Sequence, residues 1–590
     1  MAPSISFTRA AAVSSMLLAS CLALPQSLRG AAAASSSASA AAGARARVGP
    51  AAPRPSFVFM LSESLDGRLL RAGSAARIPR IRALMAAGSV RFDAAFSNSP
   101  VCAPSRSSLH SGRDVHRIAH THDGLAVAGA WNNAEGLDPG YDELLHDLLD
   151  ASGYATRVFG KTDWTVGGHT ETALLSSLSF NIDWPYNITA DGGWDEEDGQ
   201  CASDGPVSPG GSGGAANSSY PSDWKLISEV AAFASSAPQP FYAFIGTSIL
   251  HPPYQTTQYW FDRASDSGGV GPPWPPLDAA SVHPCDLQAI MKRGCAPGDA
   301  DPAAKADFYS EARRARVRRV YLAELEEFDA MVGSVVDALQ AAGRWDESTV
   351  LVLAADHGDM QLLRQLYYKM LPYDASARVP LVFASPALAP LGARVVSQPA
   401  QLLDIFPTLL GMAGVAVPAY ADGFSLEPFL AGNSSDPTRP QAVAFQNHDE
   451  DISASWFAVC NGTHKLVQYG TGAQVAPQLF DLVGDPDELV NLFNTSAAAR
   501  AAEAALGAQL RALINYPQVG QDVADYQLAL FQKWASLQAD WKTEIQSANV
   551  RWQAAFAAHP KEALAAAEAY IAQSPPAKLR PCNGNLVNLG

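Results

Sequence analysis

The segment NSPVCAPSRSSLHSG, residues 98–112, is the part of the chain best suited to chemistry. It places Cys102 three and four residues before Ser105 and Arg106. A free cysteine is most often a small buried hydrophobic residue. Because this one stands in an ordered set of polar residues, we favour a chemical role for Cys102 over a purely structural one.

Polar residues also follow several apolar runs of strand length. Glu63 and Asp66 come after SFVFML, Asp356 and His357 come after STVLVLAA, and His251 comes after FYAFIGTSI. Open α/β sheets place their sites just beyond the carboxyl ends of their strands. The pattern therefore predicts that these residues lie along one edge of a sheet.

The elements that must position these residues alternate between strands and helices. Residues 56–61, 241–249 and 348–359 are apolar runs typical of buried parallel strands. Residues 77–92 and 320–343 have helical spacing and stop at glycines. This alternation predicts an α/β fold with a large, mainly parallel sheet flanked by helices.

The C-terminal third has a different pattern. Residues 456–470 and 476–492 indicate antiparallel strands of a smaller subdomain, and the chain turns Ala-rich and helical from about residue 497. Two Gly/Pro/Ser-rich insertions, 187–222 and 263–305, are longer than ordinary connections. We expect five regions: a signal peptide (1–24), an Ala/Ser-rich linker (25–53), a catalytic domain (54–432), a small-sheet subdomain (433–496) and a helical C-terminal extension (497–590).

The first residues are typical of a secretory signal peptide, because Arg9 precedes a short apolar stretch of small residues. That stretch is shorter than the roughly 20 apolar residues of a membrane span. An uncleaved anchor is the weaker interpretation, so we expect passage through the secretory pathway without stable membrane insertion. Sequons for N-glycosylation agree with this: Asn187, Asn217, Asn433, Asn461 and Asn494.

The remaining cysteines do not form a disulfide scaffold. Cys285 and Cys295 flank a short polar loop and are the best candidates for a disulfide bond. Cys201, Cys460 and Cys582 are left over, so at least one thiol is unpaired or bonded elsewhere.

Amino-acid composition and net charge limit the kinds of molecule that the protein could bind. The 590-residue chain is 48% hydrophobic and 17% charged, which is typical of a globular protein. Its net charge of 41 − 58 = −17 argues against a nucleic-acid binder. An anionic substrate is still compatible with this charge, because local Arg and Lys can line one cleft.

The segment from Cys102 to Gly112 resembles the signature of the type I sulfatases, C-x-P-S-R followed by a short stretch ending in T/S-G. The resemblance implies an alkaline-phosphatase-like sulfatase fold and hydrolysis of a sulfate ester. It also implies a formylglycine-generating enzyme as a partner during synthesis, which converts Cys102 into formylglycine (3-oxoalanine). The hydrate of this aldehyde has two hydroxyls on one carbon. One hydroxyl attacks sulfur, and loss of the proton from the other then expels sulfate and regenerates the aldehyde.

Other segments match the family in the same order. Lys161 in FGKTDW and Lys369 in YKMLPYDASARVPL match its sulfate-binding lysines. His251 in LHPPY matches a histidine that protonates the leaving oxygen or binds sulfate. The resemblance further implies that Arg106 holds the formylglycine by hydrogen bonds and that His116 supports it.

The resemblance also implies a metal site. Glu63, Asp356 and His357, with the oxygens of modified Cys102, would hold one divalent cation, which is usually Ca²⁺ in this family. Glu63 stands where the family carries aspartate, and Asp66 is an alternative ligand.

Three other departures from the family pattern affect the surroundings of the site. Ser64 replaces a second acid, and Thr162 or Asp163 stands where many members have a histidine. The segment 117–130, with two histidines, is longer than the family pattern, and we expect an exposed loop there.

Longer matches, among them WNNAEGLDPGY, QLFDLVGDPDEL and INYPQV, narrow the resemblance to a branch of the family. That branch acts on 2-O-sulfated glucuronate in glycosaminoglycans within lysosomes, which implies a lysosomal or extracellular glycoprotein of glycosaminoglycan degradation. Two alternatives stay open. A phosphate or phosphonate ester hydrolase would be favoured by a Thr or Ser nucleophile, and a non-catalytic glycan-binding protein by loss of the ligand at position 63.

Overall fold

A seven-stranded sheet forms the centre of the protein. In sheet order its strands are β12 (Ala393–Val396), β2 (Ser89–Phe92), β11 (Leu381–Ala384), β10 (Thr349–Ala355), β1 (Ser56–Ser62), β8 (Phe241–Gly246) and β6 (Ala155–Gly160). The computed structural model describes residues 54–122, 125–130, 136–137, 143–165, 207–208, 217–264, 282–286, 289, 310–366, 368–448, 455–548, 556–557 and 559–577.

Several predicted features lie outside those residues. They are the signal peptide (1–24), the linker (25–53), the sequon at Asn187, the cysteines Cys201, Cys295 and Cys582, and most of the insertions 187–222 and 263–305. Cys285 is disulfide-bonded, while its predicted partner Cys295 belongs to this undescribed part.

The middle of the sheet is parallel, as predicted. β1 pairs in parallel with β10 on one side and β8 on the other, so that Met60 lies opposite Leu353 and Ile245. β6 extends this parallel part beyond β8. All seven residues of β1 and of β10 are buried, because both faces of these strands are covered. β11 runs antiparallel to β10 and β2, so the complete sheet is mixed.

Helices flank this sheet. They are α1 (Pro79–Ala87), α2 (Cys102–Ser111), α3 (Leu145–Ala151), α4 (Pro221–Ser236), α5 (Gln258–Arg263), α6 (Glu311–Ala341), α7 (Asp374–Ala377), α8 (Ile405–Met412) and α9 (Glu427–Leu430). α6 begins earlier than residue 320, because the Ser310 side chain caps it by accepting a hydrogen bond from the backbone N–H of Arg313. Within the described ranges, no helix is long and apolar enough to cross a bilayer.

Short strand pairs surround the central sheet. β3 (Ala95–Phe96) pairs with β13 (Ala400–Gln401), and β7 (Val207–Ser208) pairs with β9 (Thr256–Thr257). β4 (Ala119–His122) and β5 (Leu125–Ala128) form an antiparallel pair within the segment expected to be an exposed loop.

A second sheet follows near the C-terminus. It is an antiparallel meander of β14 (Val443–Asn447), β15 (Trp456–Cys460), β16 (His464–Tyr469) and β17 (Gln478–Asp481). Helices α10 (Ala497–Leu513), α11 (Tyr516–Leu537), α12 (Trp541–Ala548) and α13 (Pro560–Ile571) come after it. The small sheet and the helical C-terminus are as predicted. The described residues all belong to one compact unit, and the boundaries at residues 432 and 496 stay predictions.

The two faces of the C-terminal sheet have different neighbours. Phe457 and Leu466 belong to one apolar cluster with Leu510 of α10. On the alternate positions, Trp456 belongs to another apolar cluster with Tyr373, from the segment between β10 and β11. This second face therefore packs against a part of the catalytic region.

Candidate active site

Four neighbouring parallel strands deliver polar residues to one edge of the central sheet. Glu63 follows β1 directly, Asp356 and His357 follow β10, Lys161 follows β6, and His251 lies five residues beyond β8. Carboxyl ends of parallel strands meet at the same edge, which is why residues so distant in sequence come together.

Cys102 lies at the centre of these residues. It is the first residue of α2 and is fully buried. Its Sγ lies 2.8 Å from Nζ of Lys369 and 3.0 Å from Oε1 of Glu63. It is also 3.6 Å from Nε2 of His357 and 3.7 Å from Nζ of Lys161. Two cationic side chains, one carboxylate and the imidazoles of His357 and His251 therefore converge on a single sulfur atom.

Arg106 lies one helical turn after Cys102, so both side chains leave the same face of α2. Its guanidinium donates to Oδ2 of Asp356 (2.8 Å) and Oε2 of Glu63 (2.6 Å), and to the backbone oxygen of Lys161 (2.9 Å). These bonds fix the two carboxylates in place. In the structure Arg106 therefore organises the acidic residues around Cys102, and its hydrogen bonds to a formylglycine at this position stay a prediction.

The charges of the cluster stabilise one another. Burial alone would raise the pKa of Glu63, but Lys161 and Arg106 outweigh it and hold this pKa well below its usual range. Burial and the neighbouring Glu63 raise the pKa of Asp356 to about 6. The pKa of His357 rises to about 9, since Asp356 outweighs the opposing effect of burial. The two carboxylates repel each other, and cations must separate them.

His251 is hydrogen-bonded at both ring nitrogens. Nδ1 lies 2.5 Å from the backbone oxygen of Pro252, while Nε2 lies 3.1 Å from Nζ of Lys369 and 3.2 Å from the hydroxyl of Tyr368. Burial and the charge of Lys369 lower the pKa of His251, which favours the neutral ring. The bond to Pro252 assigns the proton of this neutral ring to Nδ1.

Unusual backbone conformations surround the site. Four non-glycine residues with positive φ are direct chain neighbours of the side chains described above: Ser64 (54°), Leu250 (80°), Tyr368 (76°) and Met370 (73°). They adjoin Glu63, His251 and Lys369. Such conformations cost free energy and persist only where surrounding contacts impose them. Their concentration here indicates that function, rather than stability, determines this backbone.

The donor set fits a divalent cation at this position. Ligand atoms of Glu63, Cys102, Asp356 and His357 all lie within 4.8 Å of one another. A thiol with an imidazole suits a soft ion, whereas oxygen donors at position 102 would make the set suitable for Ca²⁺ or Mg²⁺. The adjacent Ser64 hydroxyl is buried and has no hydrogen-bond partner among the described residues, so a bound ion or water would satisfy it.

The structure separates the two candidate acids on the loop after β1. Glu63 points to Cys102, whereas Asp66 forms an ion pair with Arg68 at 2.9 Å. The backbone N–H of Asp66 donates to the Tyr321 hydroxyl at 3.0 Å. The geometry therefore favours Glu63 over Asp66 as a metal ligand, despite the extra methylene of glutamate.

His116 does not join the residues around Cys102. Its Nδ1 lies 2.9 Å from the Gln446 amide nitrogen, and the oxygen of that amide lies 2.8 Å from Nε2 of His448. The backbone N–H of Gln446 in turn donates to the backbone oxygen of Asn98, four residues before Cys102. The hydrogen bonds described for His116 do not include position 102, so its supporting role stays a prediction.

Two residues of the site were missed or undervalued at the sequence level. Tyr368 bonds His251 through its hydroxyl, and its ring lies 4.4 Å from Nζ of Lys369. Asp163 lies 3.1 Å from Nζ of Lys161 and has a positive φ of 53°. Their only signal in the sequence is proximity to Lys369 and Lys161, which does not predict where their side chains point.

Comparisons with known proteins identify the family of the chain. The family model described as Sulfatase matches residues 55–415, and the model of the N-sulphoglucosamine sulphohydrolase C-terminal region matches residues 364–515. The chain is 28% identical to arylsulfatase K of Xenopus laevis over 552 residues, covering 89% of this chain and 94% of that protein. Identity to arylsulfatase K of Homo sapiens is also 28%, over 539 residues, covering 87% and 92% of the two chains.

Solved structures with a similar fold include both sulfatases and a phosphonate hydrolase. The phosphonate monoester hydrolase of Agrobacterium radiobacter aligns with a TM-score of 0.59 at 21% identity, covering 78% of this chain and 95% of that one. A protein solved in complex with its substrate D-glucosamine-2-N,6-O-disulfate gives 0.57 at 16% identity, covering 80% and 98%. The 2-O GAG sulfatase BT1596 gives 0.54 at 21% identity, covering 82% and 95%.

Proposed function

The chain belongs to the sulfatase family and is a sulfuric ester hydrolase, and we propose that it uses a formylglycine at position 102 together with bound Ca²⁺. Its alkaline-phosphatase-like fold is shared with its structural neighbours, and the branch indicated by the sequence motifs is that of arylsulfatase K. One observation carries the proposal: Lys161, Lys369, Glu63 and His357 converge on Sγ of Cys102.

The lysines would bind the substrate. A sulfate monoester carries negative charge on its non-bridging oxygens, and charge-assisted hydrogen bonds to ammonium groups recognise it. Nζ of Lys369 and Nζ of Lys161 approach position 102 at 2.8 and 3.7 Å, so a sulfur atom attacked there lies within reach of both. Because these cations are already fixed by Glu63 and its neighbours, they need little reorganisation during the reaction.

Two groups would complete the site. The hydrate of formylglycine, formed from Cys102, supplies the attacking hydroxyl oxygen. Glu63, Asp356, His357 and position 102 would hold a bound Ca²⁺, which would supply positive charge that polarises the sulfate ester. Arg106 keeps the carboxylates oriented by its bonds to Asp356 and Glu63.

His251 would assist the departing alcohol. With the proton of neutral His251 on Nδ1, the Nε2 atom accepts hydrogen bonds from Lys369 and Tyr368. A proton delivered to the leaving oxygen through Nε2 therefore originates from one of these two neighbours. Burial raises the pKa of Tyr368 to about 12, which leaves the Lys369 ammonium and the Tyr368 hydroxyl both protonated at neutral pH.

The proposed substrate is a glycosaminoglycan with a 2-O-sulfated uronate. Similarity to arylsulfatase K supports it, as does a structural neighbour described as a 2-O GAG sulfatase. We further propose a secreted or lysosomal glycoprotein, matured by a formylglycine-generating enzyme, with the domain boundaries given above. Of the sequons, Asn433 and Asn494 have exposed side chains suited to a glycan.

The experiment is a sulfate-release assay on protein made in cells that contain a formylglycine-generating enzyme. We expect release from an oligosaccharide ending in 2-O-sulfated glucuronate and far less from a 6-O-sulfated one. Ca²⁺ should raise the unfolding temperature, by an amount that grows with its concentration, and this shift should be strongly reduced in Asp356→Asn.

Three experimental outcomes would contradict the proposed function or its metal. Faster turnover of a phosphonate monoester than of any sulfate ester would indicate the phosphonate hydrolase alternative. Tight binding of the sulfated oligosaccharide without turnover would indicate a glycan-binding protein. A larger thermal shift with Zn²⁺ than with Ca²⁺ would reject the calcium assignment.

A further inference from the structure

The segment that carries Lys369 has a strained backbone. Ten non-glycine residues in the described part of the chain have positive φ, and five of them lie between residues 361 and 370. Two of these five, Tyr368 and Met370, flank Lys369 on both sides. We call residues 368–373 the Lys369 loop. A loop of this kind does not keep its conformation alone, so other parts of the protein must hold it.

The C-terminal sheet supplies two of the bonds that hold this loop. The indole N–H of Trp456, the first residue of β15, donates to the backbone oxygen of Met370 at 3.0 Å. The ammonium of Lys465, on β16, donates to the backbone oxygen of Pro372 at 2.9 Å. Neither Trp456 nor Lys465 has any measurable solvent exposure, so water cannot replace these bonds.

Lys465 is itself held at fixed positions. Besides Pro372, it donates to Oδ1 of Asp374 at 2.5 Å and to Oε1 of Glu488 at 2.7 Å. The other oxygen of Glu488 accepts from the backbone N–H of Asp374 at 2.6 Å. All three N–H donors of the ammonium are therefore used, and they bind both the end of the Lys369 loop and the start of α7.

The opposite side of the loop meets the nucleophile segment. The backbone N–H of Met370 donates to the backbone oxygen of Pro100 at 2.9 Å, two residues before Cys102. The same peptide region thus contacts Trp456 through one carbonyl and the Cys102 segment through one N–H. Between these two anchors, Nζ of Lys369 lies 2.8 Å from Sγ of Cys102.

We propose that Trp456 and Lys465 are positioning residues of the active site, which hold the Lys369 loop so that its ammonium meets position 102. The C-terminal sheet is then part of the catalytic apparatus rather than only a packing partner. The inference rests on the proposed function, because it takes Lys369 as the sulfate-binding group. A small displacement of such a group lowers the rate far more than it lowers stability.

The test is a double-mutant cycle between Trp456 and Lys369. Trp456→Phe keeps a buried aromatic ring but removes the N–H that holds Met370. We expect kcat/KM for an aryl sulfate to fall roughly tenfold in the wild-type background. In a Lys369→Ala background the same change should lower kcat/KM by less than about twofold, because the group being positioned is already gone.

Matched controls separate positioning from general damage. Tyr469 lies directly opposite Trp456 in the sheet, and its hydroxyl donates to Gln478, so it reaches the loop only indirectly, through the Gln478 amide and the Tyr373 hydroxyl. Tyr469→Phe should leave kcat/KM within about twofold of wild type. Lys465→Met and Arg439→Met each break a buried ion pair, but Arg439 bonds Asp404 at 2.7 Å, away from the loop. Only Lys465→Met should show the coupling to Lys369.

A measurement independent of turnover completes the test. Amide hydrogen exchange of a peptide covering the Lys369 loop should be faster in Trp456→Phe than in wild type and unchanged in Tyr469→Phe. Equal loss of kcat/KM in both backgrounds, or unchanged exchange of this peptide, overturns the inference. An inactive wild-type enzyme with the expected exchange pattern would refute the proposed function but leave the positioning role supported.

Discussion

Among the described residues, the buried charges around Cys102 and those around Lys465 form two clusters that invite comparison. Each combines lysine and arginine with two carboxylates at hydrogen-bond distance. In the Lys465 cluster, each donor of the ammonium ends on a fixed oxygen of Pro372, Asp374 or Glu488. In the Cys102 cluster, two ammonium groups instead point at the same sulfur atom.

This difference separates a structural cluster from a functional one. In a network whose donors all end on fixed acceptors, the hydrogen bonds offset the cost of burying the charges. Such a network contributes to stability and to a unique packing. A network whose cations converge on one reactive atom leaves those cations available to an anionic substrate. Burial and charge alone do not distinguish the two clusters. The distinction is whether the lysine N–H groups point at fixed oxygens or at one reactive atom.

The largest expected effect concerns Cys102 and Cys460, two buried cysteines of the described residues, one in each region. Cys102→Ala should reduce sulfatase activity by roughly a thousandfold or more, since it removes the precursor of the nucleophile. Cys460→Ala is the matched control: Cys460 is also buried, and burial raises its pKa to about 11, which keeps the thiol unreactive.

Peptide mass spectrometry provides the direct measurement for this pair. The peptide with Cys102 should show the mass loss expected for conversion of a thiol to an aldehyde, and the peptide with Cys460 should not. An intact Cys102 thiol in fully active enzyme would contradict the mechanism.

The second expected effect is that loss of a lysine lowers mainly activity in the Cys102 cluster and mainly stability in the Lys465 cluster. Lys369→Met should lower kcat/KM by about 10²- to 10³-fold while changing the free energy of unfolding by only about 1 kcal/mol. Lys465→Met should destabilise the fold by about 3–5 kcal/mol, because it leaves Asp374 and Glu488 buried without their cation. Denaturant titrations together with steady-state kinetics measure both quantities. Equal stability losses in the two variants would show that the clusters do not differ as described.

The smallest effect is a pH dependence of the structural cluster. Burial would raise the pKa of Asp374, but Arg378 and Lys465 outweigh it and hold this pKa well below its usual range. A depressed carboxyl pKa contributes stability above the unfolded-state value near 4, and this contribution is lost as pH falls through the folded-state pKa.

Between pH 5 and pH 3 the free energy of unfolding should therefore fall by about 1 kcal/mol more in wild type than in Asp374→Asn. Denaturant unfolding at pH 5 and pH 3 measures this difference. Parallel pH profiles for the two proteins would contradict the assignment of Asp374.

Much of the central architecture was predictable from the sequence. Buried parallel strands such as β1 and β10 are continuous apolar runs because both faces are covered, and this pattern is visible without a structure. The same strands bring Glu63 and Asp356 to one edge, since each residue follows a strand end.

Other contacts of the site could not be predicted. The bond of His116 to Gln446 joins two distant segments, and Tyr368 gives no signal beyond its position next to Lys369. The bonds of Arg106 to Asp356 and Glu63 reach carboxylates that follow two different strands. Each of these depends on the direction of a side chain in space, which periodicity and spacing do not encode.

The sequence by itself determined the reaction class, the α/β architecture and most of the polar residues at the site, because local motifs and apolar periodicity are properties of short segments. The tertiary structure alone decided that Glu63 rather than Asp66 faces Cys102 and that Trp456 and Lys465 hold the loop of Lys369. These contacts join residues dozens to hundreds of positions apart. They arise only once the two sheets have packed, which fixes the position of every donor relative to the nucleophile.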